Sequence, residues 1–452
     1  MTMTTTSHKR HDALTVATIY SLATINFLIV AWFWWHGSGA GLGRTTSGLL
    51  RGLGRLCGLY GALSIILEFV TVSRLPVLEQ TLGRAKQLKL HKWFGYAAFI
   101  FILLHFSLIT IGYAMINHTG VISQFVYLFF NFEDVYQAII AVLLLFLLIG
   151  LSVSIVRRHL RYETWYFVHL LSYLVILLAF SHQMKVGPDF LSQPLFVAYW
   201  WFLYILTFAL VVVWRFGRPL GLSFSRRLRV AKVQPETHNT YSVYIEGENL
   251  DKLKFKGGQF AIWWFMSKGR WWQGHPFSYS ISPGGDQLRL TFKAIGDFTN
   301  DLPKLKPGAP VIMDGPYGVF TAAAIKRPRL LMIAGGIGIT PLRSMLDEAA
   351  KAAENVILLY SVQTEADLAL KQELEGQASK LGVSLIYVIS DDPSYQGETG
   401  RIDKAKLQKL VPDVARRQVF LCGPPPMMAA LTTTLQQLDV PKQLIETEDF
   451  RF

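Results

Sequence analysis

Cysteine and charge are both scarce in this chain of 452 residues. Cys57 and Cys422 are too few for a disulfide framework, a four-cysteine zinc site or a cysteine-ligated iron–sulfur cluster. Charged residues make up 17% of the sequence and hydrophobic residues 51%, whereas about 25% is charged in an ordinary soluble protein. Low charge combined with 13% aromatic residues excludes intrinsic disorder. The composition therefore argues against both a disordered chain and an ordinary cytosolic enzyme.

Charge is sparsest in the first half of the chain. Residues 1–218 hold 16 Lys and Arg and 7 Asp and Glu, and the remaining residues hold 28 and 24. The first half contains long apolar runs close to the roughly 20 residues that span a bilayer. Six such runs are predicted as transmembrane helices, at residues 14–35, 53–73, 93–116, 135–156, 164–184 and 194–216. The first run is longer than a signal-peptide core and lacks a small-residue cleavage site, so we expect it to be retained.

The distribution of Lys and Arg between the loops predicts the orientation. The N-terminus, residues 74–92, residues 157–161 and the exit near residue 218 together carry 12 basic residues, whereas the alternate loops carry 3. Because basic loops remain in the cytoplasm, both termini and everything after Phe216 are predicted to be cytoplasmic. The net charge of +13 is thus attributed to membrane topology. The lipid bilayer is the expected partner, and no nucleic acid is expected.

Four histidines, His91, His105, His169 and His182, lie in or at the third and fifth runs. An imidazole inside a bilayer needs a partner or a function. His91 and His105 are 14 residues apart, which on an α-helix returns to within about 40° of the same face, about 21 Å along the axis. Because the third and fifth runs point the same way, His91 pairs in depth with His169 and His105 with His182. Each pair suits one iron held between two helices, as two stacked haems would need; histidines bonded to neighbouring core groups are the alternative.

The second pair of histidines fits this arrangement less well. His169 and His182 are 13 residues apart, which on an ideal helix turns them about 140° from each other. A kink, a tightened turn or a different approach of the ring must absorb the difference, and the sequence does not choose among these. His118 and His159 are expected in loops, in contact with solvent.

Two charges fall inside the second run. Arg55 lies toward its predicted outer end, where it either neutralises a haem propionate, attracts an anionic product or extends to the lipid headgroups. Glu68 lies toward the inner end and is expected to pair with a loop cation.

After residue 218 the pattern changes to short strands separated by glycine and proline turns. Strands are predicted at residues 228–233, 241–246, 259–264 and 288–294, a spacing typical of a small antiparallel barrel. From about residue 329 strands alternate with helices, as in a parallel α/β sheet, with strands predicted at 330–334, 356–360, 385–389 and 419–422. The predicted fold class is a multi-domain membrane protein composed of an all-α six-helix transmembrane bundle (1–218), an antiparallel β-barrel (219–322) and an α/β parallel-sheet domain (323–452).

Short motifs in the second half suggest nucleotide chemistry. They are His275-Pro276-Phe277-Ser278, the segment from Lys293 to Thr299 around Gly296, Gly335-Gly336-Ile337-Gly338-Ile339-Thr340-Pro341, and Cys422-Gly423-Pro424. The third motif follows an apolar strand and opens a helix, with Pro341 suited to the first helical position, so it could seat a dinucleotide phosphate on the helix N-terminus. Gly296 allows close approach of a pyrophosphate. Cys422 ends a strand at the edge where ligands bind in such folds, although it also fits as a small buried residue.

Together with the paired histidines and Gly-Pro-Tyr-Gly at residues 315–318, these motifs resemble the NADPH oxidase/ferric reductase superfamily, in a bacterial member. The resemblance covers nearly the whole chain after the first dozen residues. It implies a six-helix di-haem domain fused to a ferredoxin–NADP reductase-like dehydrogenase in the bacterial inner membrane. The implied cofactors are FAD and two b-type haems, with NADPH or NADH as electron donor. The family's own second histidine pair has the shorter spacing.

The resemblance also implies roles for individual residues. His91 and His169 would ligate the inner haem, and His105 and His182 the outer one. The flavin would be contacted by His275, Pro276, Phe277, Ser278, Lys293, Gly296 and Thr299, and the nicotinamide dinucleotide by Gly335, Gly336, Gly338, Thr340, Pro341, Arg401, Gly423 and Pro424. Cys422 would face the nicotinamide ring, Phe450 would stack on the isoalloxazine, and Arg55 matches a basic residue that the family places near the outer haem.

Three departures limit what is carried over. Relatives often have a basic residue where Gln363 stands, so a strict NADP preference is not expected, although Arg401 remains available for a 2′-phosphate. The sequence contains no EF-hand loop, which argues against calcium control. It has no proline-rich tail, so no obligate cytosolic activator is expected.

The implied activity is that of a transmembrane NAD(P)H oxidase or ferric reductase. A nicotinamide gives two electrons as hydride and a haem takes one, so a flavin must mediate between them. An iron held by two histidines has no free site, so the last transfer, at the outer face, should be outer-sphere, to dioxygen or to a ferric chelate; Arg55 favours dioxygen and superoxide production. An electron-supply subunit for quinone or a membrane partner, and a haem-binding membrane protein without turnover, are the alternatives.

Overall fold

The structure is a computed structural model. It describes residues 3–41, 45–132, 135–153, 156, 159, 162–267, 269 and 271–448. Contacts within the chain divide it into two compact units, Met1–Phe216 and Gly217–Phe452. The three-way domain division, with a further boundary at residue 322, stays a prediction.

The first unit is helical. Its α-helices are α1 (Met3–His36), α2 (Thr46–Val72), α3 (Pro76–Asn117), α4 (Val121–Asn131), α5 (Val135–Ser152), α6 (Tyr162–His169), α7 (Ser172–Val186), α8 (Pro188–Ser192) and α9 (Pro194–Leu210), followed by a π-helical segment, Val211–Gly217. Within the described ranges six stretches are long and apolar enough to cross a membrane, namely Leu14–His36, Thr46–Val72, Lys86–Asn117, Val135–Ser152, Thr164–Lys185 and Pro194–Ser225. The six predicted runs are therefore confirmed.

Glycines of α2 allow it to pack closely against α3. A Cβ atom at Gly54 would lie 3.1 Å from Ile109, one at Gly58 would lie 2.6 Å from His105, and one at Gly61 would lie 2.8 Å from Ile102. Small residues on one helix face are the usual means by which transmembrane helices approach each other, because lipid gives helices no hydrophobic reason to associate. The close α2–α3 pair is the frame on which the histidines of α3 are held.

The second unit begins with a helix, α10 (Arg218–Ser225), and continues as antiparallel strands. They are β1 (Arg229–Pro235), β2 (Thr240–Glu246), β3 (Phe260–Phe265), β4 (His275–Ser278), β5 (Leu288–Lys293) and β6 (Val311–Tyr317), with a short helix, α11 (Asp297–Asp301), after β5. The ladders form two sheets, β1-β2-β5 and β4-β3-β6, joined by single bridges at Arg229–Pro310 and Tyr279–Leu290. The antiparallel β architecture is confirmed: the ladders form two sheets, and the two bridges link β1 to the residue before β6 and β5 to the residue after β4.

A six-stranded parallel sheet follows. Its strands are β7 (Arg329–Gly335), β8 (Asn355–Val362), β9 (Ser384–Ile389), β10 (Glu398–Thr399), β11 (Gln418–Cys422) and β12 (Ile445–Glu448), arranged in the order β10-β9-β8-β7-β11-β12. The remaining helices are α12 (Ile339–Ala352), α13 (Lys371–Leu381), α14 (Lys404–Leu410) and α15 (Pro425–Gln437). Leu342 of α12 and Leu374 of α13 lie in one buried cluster, and Leu407 of α14 and Leu431 of α15 in another. Helices thus cover both faces of the sheet, confirming the predicted α/β domain.

The strand order creates a switch point between β7 and β11. From β7 the chain adds β8, β9 and β10 outward on one side, then returns to place β11 and β12 on the other. In open α/β sheets the ligand crevice lies at the carboxyl ends of the strands at such a point. The ends of β7 and β11 are Gly335 and Cys422, the first residues of two of the predicted nucleotide motifs.

Candidate functional site

His105 is held by a backbone hydrogen bond from α2. Its Nδ1 lies 2.8 Å from the carbonyl oxygen of Gly54. Because a carbonyl only accepts, Nδ1 carries the hydrogen and the lone pair is left on Nε2. This tautomer is the one suited to metal ligation through Nε2, with the other ring nitrogen anchored by the protein.

His105 and His182 line one cavity of about 390 Å³. Its wall is mostly apolar and comes from α2, α3, α4, α5, α7 and α8, with Arg55 contributing a cationic and Asp189 an acidic side chain. Gln183, next to His182, accepts hydrogen bonds from Trp200 Nε1 (2.7 Å) and the Tyr204 hydroxyl (3.1 Å), which fixes this part of α7 against α9. A mostly apolar cavity lined by two imidazoles and a cation fits a haem held through its iron, with Arg55 available for a propionate.

The His91 and His169 rings lie close together at the second level of the bundle, with 70° between their planes. Their ring centroids are 5.9 Å apart, and an iron bound at about 2 Å by one nitrogen of each ring requires a separation of about 6 Å. His169 also stacks on Trp165, at 4.9 Å between ring centroids. Among the described residues, the buried Nδ1 of His169 has no hydrogen-bond partner. The two rings therefore have a separation that fits ligation of one metal atom.

Sequence reasoning missed the neighbour of His91. Glu68 Oε1 lies 3.2 Å from His91 Nδ1, and each side chain is 20% exposed. Glu68 was expected to pair with a loop cation, and that expectation is wrong: its carboxylate contacts an imidazole. A carboxylate on the far nitrogen of a ligating histidine is a common second-sphere arrangement in metal sites.

A tightened turn accommodates the spacing of 13 residues between His169 and His182. α6 ends at His169 and α7 starts at Ser172. Between them, the N–H groups of Leu171, Tyr173 and Leu174 donate to carbonyls three residues back. Such a turn advances about 120° per residue rather than 100°, so it rotates His182 toward the face that carries His169. Of the three possibilities that the sequence left open, the structure shows this one.

The His-Pro-Phe-Ser motif forms β4 and lies beside the residues around Gly296. The His275 ring stacks on Phe298 of α11 at 3.8 Å between centroids, and Phe277 lies 6.4 Å from the same ring. Pro276 pairs with Ile262 of β3. The Ser278 hydroxyl is buried with no hydrogen-bond partner among the described residues. An unsatisfied buried hydroxyl in this motif fits a site completed by a polar ligand such as flavin.

The Thr299 hydroxyl binds backbone N–H groups of its own loop, which are therefore not free to bind an anion. Its Oγ1 accepts hydrogen bonds from the N–H groups of Ile295 (3.1 Å) and Gly296 (3.0 Å). Those two N–H groups are therefore occupied, and α11 has only five residues. Lys293 lies 3.9 Å from Asp367 of the α/β domain. The structure brings the four flavin motif residues, Lys293, Gly296 and Thr299 into one region, while the contact with a pyrophosphate stays a prediction.

The glycine-rich loop joins β7 to α12. Gly336 has φ +52 and open space where a Cβ would lie, whereas a Cβ at Gly338 would be 2.2 Å from the Cys422 carbonyl oxygen. The Thr340 hydroxyl donates to the Ile337 carbonyl at 3.0 Å. α12 begins at Ile339, so Pro341 is its third residue and not the first as expected. The loop thus has one glycine open to a ligand and one pressed against the Cys422–Gly423 turn.

Cys422 lies at the carboxyl edge of the parallel sheet. It is fully buried, and its Sγ lies 3.7 Å from the Glu448 carbonyl oxygen. Gly423 and Pro424 pack against Gly335, so the two motifs meet at the switch point. Arg401 is exposed and follows β10 at the far side of the sheet, past β8 and β9. The predicted stacking residue, Phe450, lies outside the described residues.

A buried ion network joins the antiparallel sheets to the α/β domain, and sequence reasoning missed it. Arg289 of β5 donates to both oxygens of Glu373 of α13, at 2.5 and 2.9 Å. Arg343 of α12 donates to the same carboxylate at 2.6 Å and to Ser282 Oγ at 3.0 Å. Burial alone would raise the pKa of the Glu373 carboxyl, but the hydrogen bonds and charges of the two guanidinium groups outweigh it and hold the pKa below its usual value.

Comparison with protein families assigns a description to each part of the chain. Residues 57–180 match a ferric reductase like transmembrane component, residues 225–321 an FAD-binding domain and residues 332–433 an oxidoreductase NAD-binding domain. The first match contains His91, His105 and His169 and ends two residues before His182.

Curated relatives are similar to part of this chain. The glycine betaine monooxygenase reductase subunit of Pseudomonas aeruginosa is 29% identical over 171 residues, covering 36% of this chain and 44% of its own. NADH-cytochrome b5 reductase 2 of Scheffersomyces stipitis is 33% identical over 144 residues, covering 30% and 48%. The chain spans about half the length of the curated relatives it matches. A solved ferredoxin NADP+ reductase of Neisseria gonorrhoeae, with bound FAD and NADP, is similar at a TM-score of 0.44 and 20% identity over 50% of this chain and 98% of that one.

The fold and the family matches define a membrane-associated NAD(P)H oxidoreductase. In this chain a ferric reductase-like transmembrane domain is fused to FAD-binding and NAD-binding domains of the ferredoxin reductase type. That combination fits the NADPH oxidase/ferric reductase superfamily, which confirms the resemblance found in the sequence.

Proposed function

We propose that this protein carries electrons from cytoplasmic NAD(P)H through FAD and two b-type haems to an acceptor on the outer face of a bacterial inner membrane. Dioxygen, reduced to superoxide, is the first candidate for the acceptor, and a ferric chelate is the second. The observation that carries the proposal is the pairing of histidines at two levels between α3 and the fifth span. The His91 and His169 ring centroids are 5.9 Å apart, and His105 shares one mostly apolar cavity with His182.

Each cofactor would supply a chemistry that the side chains lack: nicotinamide a hydride, flavin the splitting of an electron pair into single electrons, and a haem iron held by two histidines the exchange of one electron without binding the acceptor. One NAD(P)H therefore supplies two electrons, which reduce two dioxygen molecules to two superoxide ions, and one proton is released on the cytoplasmic side.

The chain's contribution is to hold these groups in place. Gly336 leaves open space at the N-terminus of α12 for a dinucleotide phosphate, and Cys422 closes the neighbouring edge of the sheet. The network of Arg289, Glu373 and Arg343 keeps the flavin-side strands docked on the nucleotide domain. In the transmembrane helices, the Gly54 carbonyl directs Nε2 of His105 away from α2.

Dioxygen is preferred as acceptor because of the cavity at the His105 level. Its wall is mostly apolar, and it contains one cation, Arg55, and one acidic residue, Asp189. Dioxygen is small and uncharged, so it would reach the edge of a haem held in this cavity through apolar surroundings, while the cation favours the superoxide ion that forms. A ferric chelate is bulkier and charged, so it would receive its electron at the protein surface.

The test uses the full chain purified in detergent with haem and FAD. Addition of NADH or NADPH under argon should reduce both haems, and admitting air should reoxidise them with superoxide formation. Oxygen uptake, superoxide and ferric-chelate reduction are measured separately, so that the acceptor is identified. His105→Leu should remove one haem and abolish electron delivery while flavin reduction continues, whereas unchanged haem content in that variant contradicts the ligand assignment.

A further inference from the structure

The two histidines of α3 have different partners on α2. His105 Nδ1 contacts the carbonyl oxygen of Gly54, and His91 Nδ1 contacts the carboxylate of Glu68. Gly54 and Glu68 are 14 residues apart, the same separation as His91 and His105. Because α2 and α3 are consecutive spans that run in opposite directions, the equal spacing puts one acceptor of α2 beside each histidine of α3. The group beside Nδ1 is a hydrogen-bonded backbone carbonyl at one level and a carboxylic group, in contact at 3.2 Å, at the other.

The packing around Glu68 leaves its side chain directed at His91. A Cβ atom at Gly95, one turn after His91 on α3, would lie 3.2 Å from Glu68 Oε1. A larger residue at position 95 would therefore compete with the carboxylate for this space. The cationic side chains of Arg84 and Lys92 act on the His91 imidazole as well, at longer range. Glu68 is the acidic group in contact with His91 among the described residues.

We propose that Glu68 is a positioning residue that holds the inner haem at a lower reduction potential than the outer haem. This inference rests on the proposed function. The contact places the carboxylate where it would accept the Nδ1 hydrogen of a ligating His91, and a carboxylate at this position orients the ring and increases electron donation by the imidazole to a metal on Nε2. Greater donation stabilises the ferric state, and hydrogen bonding to ligands is one of the means by which proteins set haem potentials.

The consequence is a direction for electron flow. In the predicted topology the His91 level is the cytoplasmic one, so electrons from the flavin would enter there and leave from the His105 level. With the carboxylate at the entry and a neutral carbonyl at the exit, transfer between the two levels is downhill toward the acceptor. The asymmetry is built into α2 and needs no difference between the ligands themselves, since all four are histidines.

The experiment is a spectroelectrochemical titration of the haems in the full chain. The wild type should show two one-electron components. Glu68→Gln keeps an acceptor without the carboxylate, and Glu68→Leu removes both. We expect the lower component to rise in the Gln variant and further in the Leu variant, reaching at least a tenfold change in the ferrous-to-ferric ratio, which is 59 mV for one electron. The upper component should stay at its wild-type value.

Glu79→Gln is the matched control. Glu79 is a buried carboxylate of α3 that accepts from Gln87 Nε2 at 2.7 Å, so its loss tests the effect of removing an acidic group elsewhere on the bundle. Both potentials should stay unchanged in that variant. The proposal is overturned if both Glu68 variants bind two haems at wild-type potentials, or if the two components shift equally. A wild-type protein that binds fewer than two haems would instead refute the proposed function itself.

Discussion

Gly58 of α2 lies directly beneath the imidazole of His105. A Cβ atom at residue 58 would be 2.6 Å from Nδ1 and 3.0 Å from Cε1 of that ring, closer than real Cβ contacts come. The missing side chain lets the ring rest against α2, where it reaches the Gly54 carbonyl one turn away at 2.8 Å. The orientation of this candidate ligand therefore depends on a glycine as much as on a hydrogen bond.

Gly58→Ala should displace the His105 ring and break its bond to Gly54. We expect haem content to fall from two per chain to about one, because the ring no longer presents Nε2 to the cavity. The measurement is the pyridine haemochrome assay, with the Soret band as a second readout. NAD(P)H should still reduce the flavin at the wild-type rate.

The control for that variant is Gly150→Ala. Gly150 lies in α5 and a Cβ there meets nothing within 4 Å, so alanine should be tolerated and stabilise the helix by about 0.5–1 kcal/mol. Two haems bound with a wild-type spectrum in Gly58→Ala would contradict the steric argument.

Much of this fold follows from hydrophobic patterning. The six spans are predictable because crossing a bilayer takes an apolar run of fixed length. The strands β2 and β8 are predictable because a half-buried strand alternates apolar and polar residues and a buried strand is a short apolar run. Pairing His91 with His169 needed only the spacing of residues and the direction of the spans. These features depend on local sequence, which is why they could be read without coordinates.

Other features depend on how elements rotate against each other. Glu68 contacts His91 because of the angle at which α2 packs on α3, which spacing alone does not specify. The tightened turn at Leu171 has neither proline nor glycine to signal it. Arg289 and Glu373 are 84 residues apart and resemble any other surface charges in the sequence. Contacts between distant segments therefore account for most of what sequence reasoning missed.

The network around Glu373 should control how the flavin side docks on the nucleotide domain. Glu373→Ala leaves Arg289 buried without its counter-ion, a loss on the order of 3 kcal/mol. We expect lower thermal stability of the second unit and slower flavin reduction by NAD(P)H, since a misplacement of about 1 Å can cost about 100-fold in rate. Stopped-flow flavin bleaching and a thermal melt check both.

That carboxylate also predicts a dependence on pH. Because its pKa is lowered in the folded protein, its contribution to stability is complete above the usual value of 4.5 and is lost as the pH falls through the lowered value. The melting temperature should therefore drop more steeply below pH 4.5 in the wild type than in Glu373→Gln. Glu375→Gln, an exposed acid on the same helix, is the control. Equal slopes in the wild type and Glu373→Gln would refute the assignment.

Two glycines of one loop should respond differently to alanine. Gly336 has φ +52 and open space, so Gly336→Ala should fold at a cost of about 1–2 kcal/mol for the left-handed backbone. Its new methyl group occupies the space left for a ligand, so the KM for NAD(P)H should rise at least tenfold. Gly338→Ala meets the Cys422 carbonyl at 2.2 Å and should instead lower the melting temperature. Thermal unfolding followed by circular dichroism distinguishes the two variants. Equal losses of stability in Gly336→Ala and Gly338→Ala would contradict this prediction.

The carboxyl ends of β8 and β9 are acidic, which predicts a preference for NADH. Glu365 and Asp367 follow β8, and Asp391 and Asp392 follow β9. The hydroxyl and backbone N–H of Ser394 hold the pKa of Asp392 below its usual value, so this carboxyl is charged at neutral pH. In such sheets the adenosine ribose lies near the end of the second strand, so a 2′-phosphate would approach these charges, with Arg401 as a counter-charge from beyond β9.

We therefore expect kcat/KM for NADH to exceed that for NADPH at low ionic strength. Asp392→Asn should narrow the difference by raising NADPH use several-fold, because one repulsive charge is removed, and Arg401→Ala should widen it. Added salt should also reduce the difference in kcat/KM between NADH and NADPH, since screening weakens repulsion between exposed charges. Steady-state rates with both donors, in 20 and 200 mM salt, provide the measurement. A wild-type preference for NADPH that Arg401→Ala leaves untouched would show that the 2′-phosphate is read elsewhere in the protein.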